Sequence, residues 1–333
     1  MTSMNRQVVL ASRPRGAVTE KDFRFVDAPI ATPGAGEVLV RNRWLSLDPY
    51  MRGRMSDAKS YVPPVEIGEV MVGQTVGEVV ASKDPRFALG DTVLTSLGWQ
   101  QWGVAKGAAL EAVDATGIPP SYFLGILGMP GITAWFGLNE IGAPRSGETV
   151  VVSAASGAVG SVVGQLAKLM GCRVVGIAGG TAKCDYVVRE LGFDACVDHK
   201  AGRLAEDLSK ACPGGVDVYF ENVGGEILDV LLRHMNRHSR IVVCGLIAEY
   251  DATAATGHAL RAILVNRIRM QGMIVFDWKD RYPEARKALA GLVAGGRLRY
   301  RESVVDGIDA APRALIGLLK GENFGKQLVR LAD

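Results

Sequence analysis

Residues 1–171 contain neither cysteine nor histidine. That removes the side chains from which a zinc site in the first half of the chain would be built, because carboxylates alone make a poor zinc ligand set. No metal is expected. The whole chain has five cysteines, Cys172, Cys184, Cys196, Cys212 and Cys244, and no C-x-x-C pair. An odd, scattered set suggests reduced thiols and a cytoplasmic compartment rather than a disulfide framework. Charge imbalance is lacking too, the formal net charge being +3 in 333 residues. Arg41, Arg43, Arg52 and Arg54 are locally basic, but no aromatic-interleaved basic stripe accompanies them. They read as a solvated surface, and nucleic acid is not an expected partner.

Long apolar runs are scarce. The opening MTSMNRQVVLASRPRG has a four-residue apolar run, too short for a signal-peptide core. Residues 118–139, IPPSYFLGILGMPGITAWFGLN, are uncharged but broken by three prolines and four glycines. Residues 150–167, VVVSAASGAVGSVVGQLA, read as strand, turn and helix. Neither is expected to span a membrane.

What is present is ample core. Hydrophobic residues make up 48% and charged residues 22%, the balance of a soluble globular chain long enough for two domains. From about residue 7 to 115 the signals are short β-like runs such as GEVLVRNRWLSL, interrupted by Gly, Pro and Asp, which suggests an antiparallel barrel or sandwich. Near residue 128 the texture changes to alternating strands and helices. ETVVVSAA, RVVGIAG, ACVDH, VDVYFEN, SRIVVCG and, after a loop to about 265, IRMQGMIVF give six strands of a doubly wound parallel sheet. A helix is expected near 281–296, and strand-like segments then return. The expected division is 1–127, a substrate or catalytic β domain, 128–298, a nucleotide-binding α/β domain, and 299–333, a segment returning to the first.

The first α/β turn is Ala155-Ser156-Gly157-Ala158-Val159-Gly160. Gly157 would let the backbone approach a pyrophosphate, and Gly160 would let the following helix pack close to the strand, with its free N–H groups facing the phosphates. Ala155 stands where the G-x-G-x-x-G pattern has its first glycine, which is tolerable if φ stays negative there. An NAD site would place an acidic residue about 20 positions further on. Here the second strand ends in Ile177-Ala178-Gly179-Gly180-Thr181-Ala182-Lys183, and the first acid is Asp185. A cation in a helix's first turn is unfavourable unless an anion compensates it, so the pattern points to NADP(H), with Lys183 toward its 2′-phosphate.

With LSLDPYMRGRM (45–55), GEVMVGQTVGEVV (68–80), LGMPGITAWFGL (127–138), YFENVGGE (219–226), CGLIAEY (244–250) and ENFGKQLV (322–329), the chain resembles a medium-chain dehydrogenase/reductase of the zinc-independent branch. That branch holds prostaglandin/leukotriene reductases, alkenal double-bond reductases and bacterial curcumin-type reductases. The resemblance implies a Rossmann sheet with a GroES-like, mostly antiparallel β domain, a homodimer, and NADPH-dependent reduction of the carbon–carbon double bond of enones and enals by hydride transfer to the β-carbon. It further implies that Gly157, Ala158, Val159 and Gly160 hold the pyrophosphate, and that His199 stands where relatives commonly place a tyrosine beside the 2′-phosphate. Asn222 would lie by the ribose and nicotinamide. Cys244, Gly245, Leu246, Tyr250, Met273, Ile274, Val275, Phe276, Trp278 and Asn323 would line the nicotinamide end. Tyr250 is the expected donor to the developing enolate oxygen, with Tyr50 and Tyr61 as further candidates at the substrate wall. Loops 56–66 and 246–260 would shape the pocket. A quinone reductase of the same fold and a non-catalytic NADPH-binding protein remain the alternatives.

Overall fold

The computed structural model describes residues 4–58, 60–251 and 260–331. Within loops 56–66 and 246–260, Lys59 and residues 252–259 therefore lie outside the described residues. The chain divides into two compact units: Met1–Gly125 with Glu302–Asn323 and Gln327–Asp333, and Ile126–Arg301 with Phe324–Lys326.

The first unit is built on an antiparallel sheet. Its strands run in the order Glu302–Asp306, Lys326–Arg330, Glu37–Ser46, Thr75–Ser82, Thr92–Thr95 and Glu111–Ala112, with Trp102–Lys106 also paired to Glu37–Ser46. Met4–Leu10 and Phe23–Pro29 form a separate hairpin ladder. Val8, Leu10, Leu45, Leu47, Met51 and Trp99 make its core, where Trp99 stacks on Phe23 at 5.5 Å. Turn-rich, short-stranded sequence predicts this sheet, but it does not announce the helices Tyr50–Arg54 and Ala311–Leu319.

The second unit carries a six-stranded parallel sheet. Its strands are β1 (Thr149–Ser153), β2 (Arg173–Ala178), β3 (Ala195–Asp198), β4 (Val216–Glu221), β5 (Met235–Val243) and β6 (Arg269–Gly272). They lie in the order β3-β2-β1-β4-β5-β6. All five residues of β1, Thr-Val-Val-Val-Ser, are buried, as expected for a β-branched strand covered on both faces. The helices are α1 (Met129–Phe136), α2 (Gly160–Leu169), α3 (Thr181–Arg189), α4 (Leu204–Ala211), α5 (Gly225–His234), α6 (Leu260–Asn266) and α7 (Tyr282–Ala294). Among the described residues, no helix is long and apolar enough to cross a membrane.

Helix α2 approaches the sheet through glycines. A Cβ on Gly164 would come within 1.8 Å of Phe193 Cζ, so the aromatic ring occupies the space a side chain would need. The order reverses between β1 and β4, and the crevice outside the carboxyl ends of the strands at such a switch point is where open α/β sheets take ligands.

Three expectations need correction. The first strand ends at Ser153 rather than Ala155, because Ala154 turns into the left-handed region at φ +49°. The span to about 265, expected as loop, holds α6 from Leu260. The sixth strand, expected within the apolar run Ile268–Phe276, is the short, wholly exposed Arg269–Gly272, after which Val275–Arg281 winds into 3-10 turns.

Candidate nucleotide-binding site

All the expected cofactor residues except Asn323 belong to the second unit. The turn after β1 is tight. The Gly157 amide donates to Ala154 O at 2.8 Å, and Ser161 N donates to Gly157 O at 3.0 Å. Ala155 is fully buried and is not among the residues with positive φ. The strained conformation falls one residue earlier, at Ala154, and so the first glycine of the pattern is dispensable here. Gly160 is not. A Cβ there would meet Ala154 O at 2.4 Å, so the N-terminus of α2 sits against the turn with no room for a side chain. A Cβ on Gly157 would lie 3.1 Å from the same oxygen. Ala158 and Val159 lead directly into α2, whose amides at Ser161, Val162 and Val163 already donate to Gly157 O and Val159 O. Gly325 N donates to Ser156 O at 3.1 Å, so residues 324–326 lie alongside the turn.

The ends of β2 and β3 gather cations. Lys183 lies in the first turn of α3, after Gly180 at φ +96°. Burial lowers its pKa, and the charge of Lys200 lowers it further. His199 follows β3, and burial, then Lys200, hold its imidazole below the ordinary histidine range. Gly179 makes room for both neighbours, since a Cβ there would lie 2.9 Å from His199 Nε2 and 2.9 Å from Lys200 Cε. The nearby carboxylate is committed elsewhere: Asp198 Oδ1 accepts from the Gly180 amide at 2.8 Å and the Lys200 amide at 2.9 Å. Burial raises the Asp198 pKa, but these amide bonds outweigh it and the carboxyl ends below its ordinary value. Two lysines and a histidine thus gather at one place, Lys183 half-buried and His199 and Lys200 exposed, an arrangement that an anion with several acceptor oxygens relieves. Lys200 was not singled out in the sequence. Its signal was the adjacent His-Lys at the end of the third strand.

At the ends of β1, β4 and β5 the chain is stitched by polar groups. Asn222 donates its amide N–H to Ser153 Oγ and its Nδ2 to Ser153 O, both at 2.8 Å. Ser153 Oγ donates to Glu221 Oε1 at 2.9 Å, which also accepts from Val223 N at 2.6 Å. Glu221 is fully buried, and its Oε2 has no partner among the described residues. This carboxylate, too, escaped the sequence reading, where Tyr219-Phe220-Glu221 passes for the end of an apolar strand.

The loop after β5 is fastened onto this cluster. Gly245 N donates to Glu221 O at 3.1 Å and Ala248 N to Val223 O at 2.9 Å. Tyr250 closes the short 3-10 turn Ile247–Glu249 that follows Leu246. A Cβ on Gly245 would lie 3.3 Å from Asn222 O and 3.8 Å from the Tyr250 hydroxyl. Tyr250, Gly245 and Asn222 are therefore brought together. Burial pushes the Cys244 thiol up to about 12, with Glu221 adding to it, so it stays protonated and unreactive at neutral pH.

Met273 and Val275 are buried after β6, Ile274 is half-buried and Phe276 is half-exposed. Met273 Sδ reaches to 2.7 Å from where a Gly137 Cβ would stand, and Trp278 stacks on Phe136 at 5.5 Å. Tyr50, Tyr61 and Asn323 belong to the first unit. Burial, then Asp48, pushes the Tyr50 phenol above its ordinary value, with a smaller push from Tyr61. Tyr61 itself is 57% exposed.

Residues 6–113 match the family model described as the N-terminal domain of oxidoreductase, and residues 158–291 match one described as zinc-binding dehydrogenase. Among the described residues, no three His, Cys, Asp or Glu side chains gather into a metal-holding group. The NADPH-dependent curcumin reductase of Escherichia coli (strain K12) is 50% identical, covering 98% of this chain and 97% of its own. A 2-alkenal reductase (NADP(+)-dependent) of Nicotiana tabacum is 41% identical over 98% of each chain. The crystal structure of CurA from Vibrio vulnificus in complex with NADPH superposes with a TM-score of 0.94, at 49% identity, over 98% of this chain and 99% of that one. The chain belongs to the medium-chain dehydrogenase/reductase family, together with the curcumin and alkenal reductases.

Proposed function

We propose that this chain uses NADPH to reduce the carbon–carbon double bond of α,β-unsaturated ketones and aldehydes. The observation that carries the reading is the 50% identity, over nearly the whole of both chains, to an NADPH-dependent curcumin reductase. The 2-alkenal reductase supports it, because a 2-alkenal bears its double bond conjugated to a carbonyl. The residues fit the cofactor. The glycine cradle of Gly157 and Gly160 accepts a pyrophosphate, and Lys183, with Lys200 and His199 beside it, takes the phosphate that distinguishes NADPH from NADH.

Bound NADPH supplies a hydride from carbon four of its nicotinamide to the β-carbon of the substrate. The α-carbon then takes a proton, and the carbonyl oxygen carries enolate charge in between. Tyr250, fixed by the loop bonds to residues 221–223, donates its hydroxyl proton in a hydrogen bond to that oxygen. Asn222 orients the ribose side of the site, and Cys244, Gly245, Leu246, Met273, Ile274, Val275, Phe276 and Trp278 line the nicotinamide end. NADPH oxidation across a panel of enones, enals, quinones and simple aldehydes tests the reading. Turnover of the enones and enals to saturated carbonyls is expected; turnover of quinones alone contradicts it.

The exposed edge strand β6 supports a homodimer, since unpaired edges are usually covered. A monomer in sedimentation at micromolar concentration would remove that assignment. Scattered free thiols support a reducing, cytoplasmic compartment.

A further inference from the structure

Cys184 and Cys196 stand 12 positions apart in the chain, on different elements. Cys184 lies in the first turn of α3, beside Lys183, and Cys196 lies within β3, three residues before His199. Packing of α3 over β3 brings their sulfurs to 3.1 Å, with the Cys196 thiol donating to Cys184 Sγ. Gly176, the β2 partner of Cys196 in the ladder, leaves the space: a Cβ there would lie 3.3 Å from Cys196 Sγ. Both cysteines are part-exposed, whereas Cys172 and Cys212 are buried.

The two thiols are unlike. The hydrogen bond from Cys196 holds the Cys184 thiol below its ordinary value despite opposing burial and the nearby Asp198 and Asp185. The same bond, then burial, pushes Cys196 well up. Cys184 is therefore the member that reacts first, because the thiolate is the nucleophile. Bonded sulfurs stand about 2.05 Å apart, so closure needs a further approach of about 1 Å.

We propose that Cys184 and Cys196 are a reversible thiol–disulfide site, oxidised by small disulfides, whose closure draws in the first turn of α3 and weakens NADPH binding. The second half rests on the assignment of Lys183 to the cofactor's extra phosphate. The Cys184 thiolate attacks one sulfur of a disulfide RSSR, forming a mixed disulfide and expelling RS⁻. Cys196 then loses its proton and attacks Cys184 Sγ, forming the internal bond and expelling the second RS⁻. The protein loses two electrons, RSSR gains them, and the two thiol protons end on the two RSH molecules. Displacement of Lys183 follows because it shares the moving turn. Transient, regulatory disulfides of this kind are the ones found in reducing compartments.

The test treats the full chain with 2-hydroxyethyl disulfide, reads intact mass and cysteine-containing peptides, and measures NADPH and NADH affinity before and after. The expected result is loss of two hydrogens, a Cys184–Cys196 crosslink reversed by dithiothreitol, and NADPH affinity lowered about 10-fold, within the range of a weakened charge-assisted contact. NADH affinity stays as it was. Cys196→Ala should stop at one mixed disulfide on Cys184, and Cys184→Ala should give no crosslink. Mixed disulfides persisting on both cysteines, a crosslink between any other pair, or a crosslink that leaves NADPH affinity unchanged overturns the proposal. Lys183→Ala separates the two readings. If it weakened both cofactors equally, the phosphate assignment would fall, while the mass spectrum would still decide the disulfide.

Discussion

Lys183 is held in an unfavourable place. It is partly buried, near Lys200, at a helix N-terminus whose dipole repels it. A bound phosphate would ease both the dipole and the neighbouring charge. Lys183→Ala should therefore weaken NADPH by roughly 10- to 150-fold, the loss of about 1.5–3 kcal/mol, and leave NADH almost unaffected. Fluorescence titration with both cofactors checks this, and equal losses would refute it. Tyr250→Phe should act differently, lowering kcat for an enone by about 10-fold or more while NADPH affinity holds, because its hydroxyl matters most as negative charge develops. Single-turnover kinetics reads the two effects apart.

At this scale the sequence is partly legible. The missing acid after the second strand and the lysine in its place are visible as letters. Lys200 and Glu221 are not, because each acquires its setting from a neighbouring strand: Gly179 beneath Lys200, and Ser153 against Glu221. The meeting of Cys184 and Cys196 is equally invisible, since it depends on how far α3 slides over β3.

Among the elements, the turn between β1 and α2 decides most. Ala154 takes the left-handed conformation so that Ala155 need not, and the close approach of α2 rests on Gly160 and Gly164. Gly164→Ala would drive a methyl into the Phe193 ring. It should cost about 1–3 kcal/mol, as overpacking does. The expected sign is a lower urea midpoint at unchanged slope, with NADPH affinity retained in the folded fraction. A stability equal to that of the parent would show that the helix can retreat. Strand–helix alternation marks four of the five interior connections of this unit, because apolar β-branched runs and amphipathic helices differ in period. Element ends are less legible. β1 stops two residues early because Ala154 leaves the extended region, and β6 shrinks to four exposed residues.

Over the whole molecule, composition and order predict the architecture: an antiparallel β unit from the first part of the chain and a parallel sheet ordered β3-β2-β1-β4-β5-β6 from the middle. The unit boundary lies at Gly125/Ile126, whereas the texture of the sequence changes near residue 128. The fate of the C-terminus is harder to read, because Phe324–Lys326 belong to the second unit while the residues on either side belong to the first. No periodicity encodes such a crossing. Substrate chemistry is a property of the assembled chain, and its most direct test follows the hydride. With NADPH deuterated on its reactive face and an enone as acceptor, the account predicts deuterium at the β-carbon of a saturated ketone. Deuterium on a carbinol carbon, with the double bond intact, would contradict it.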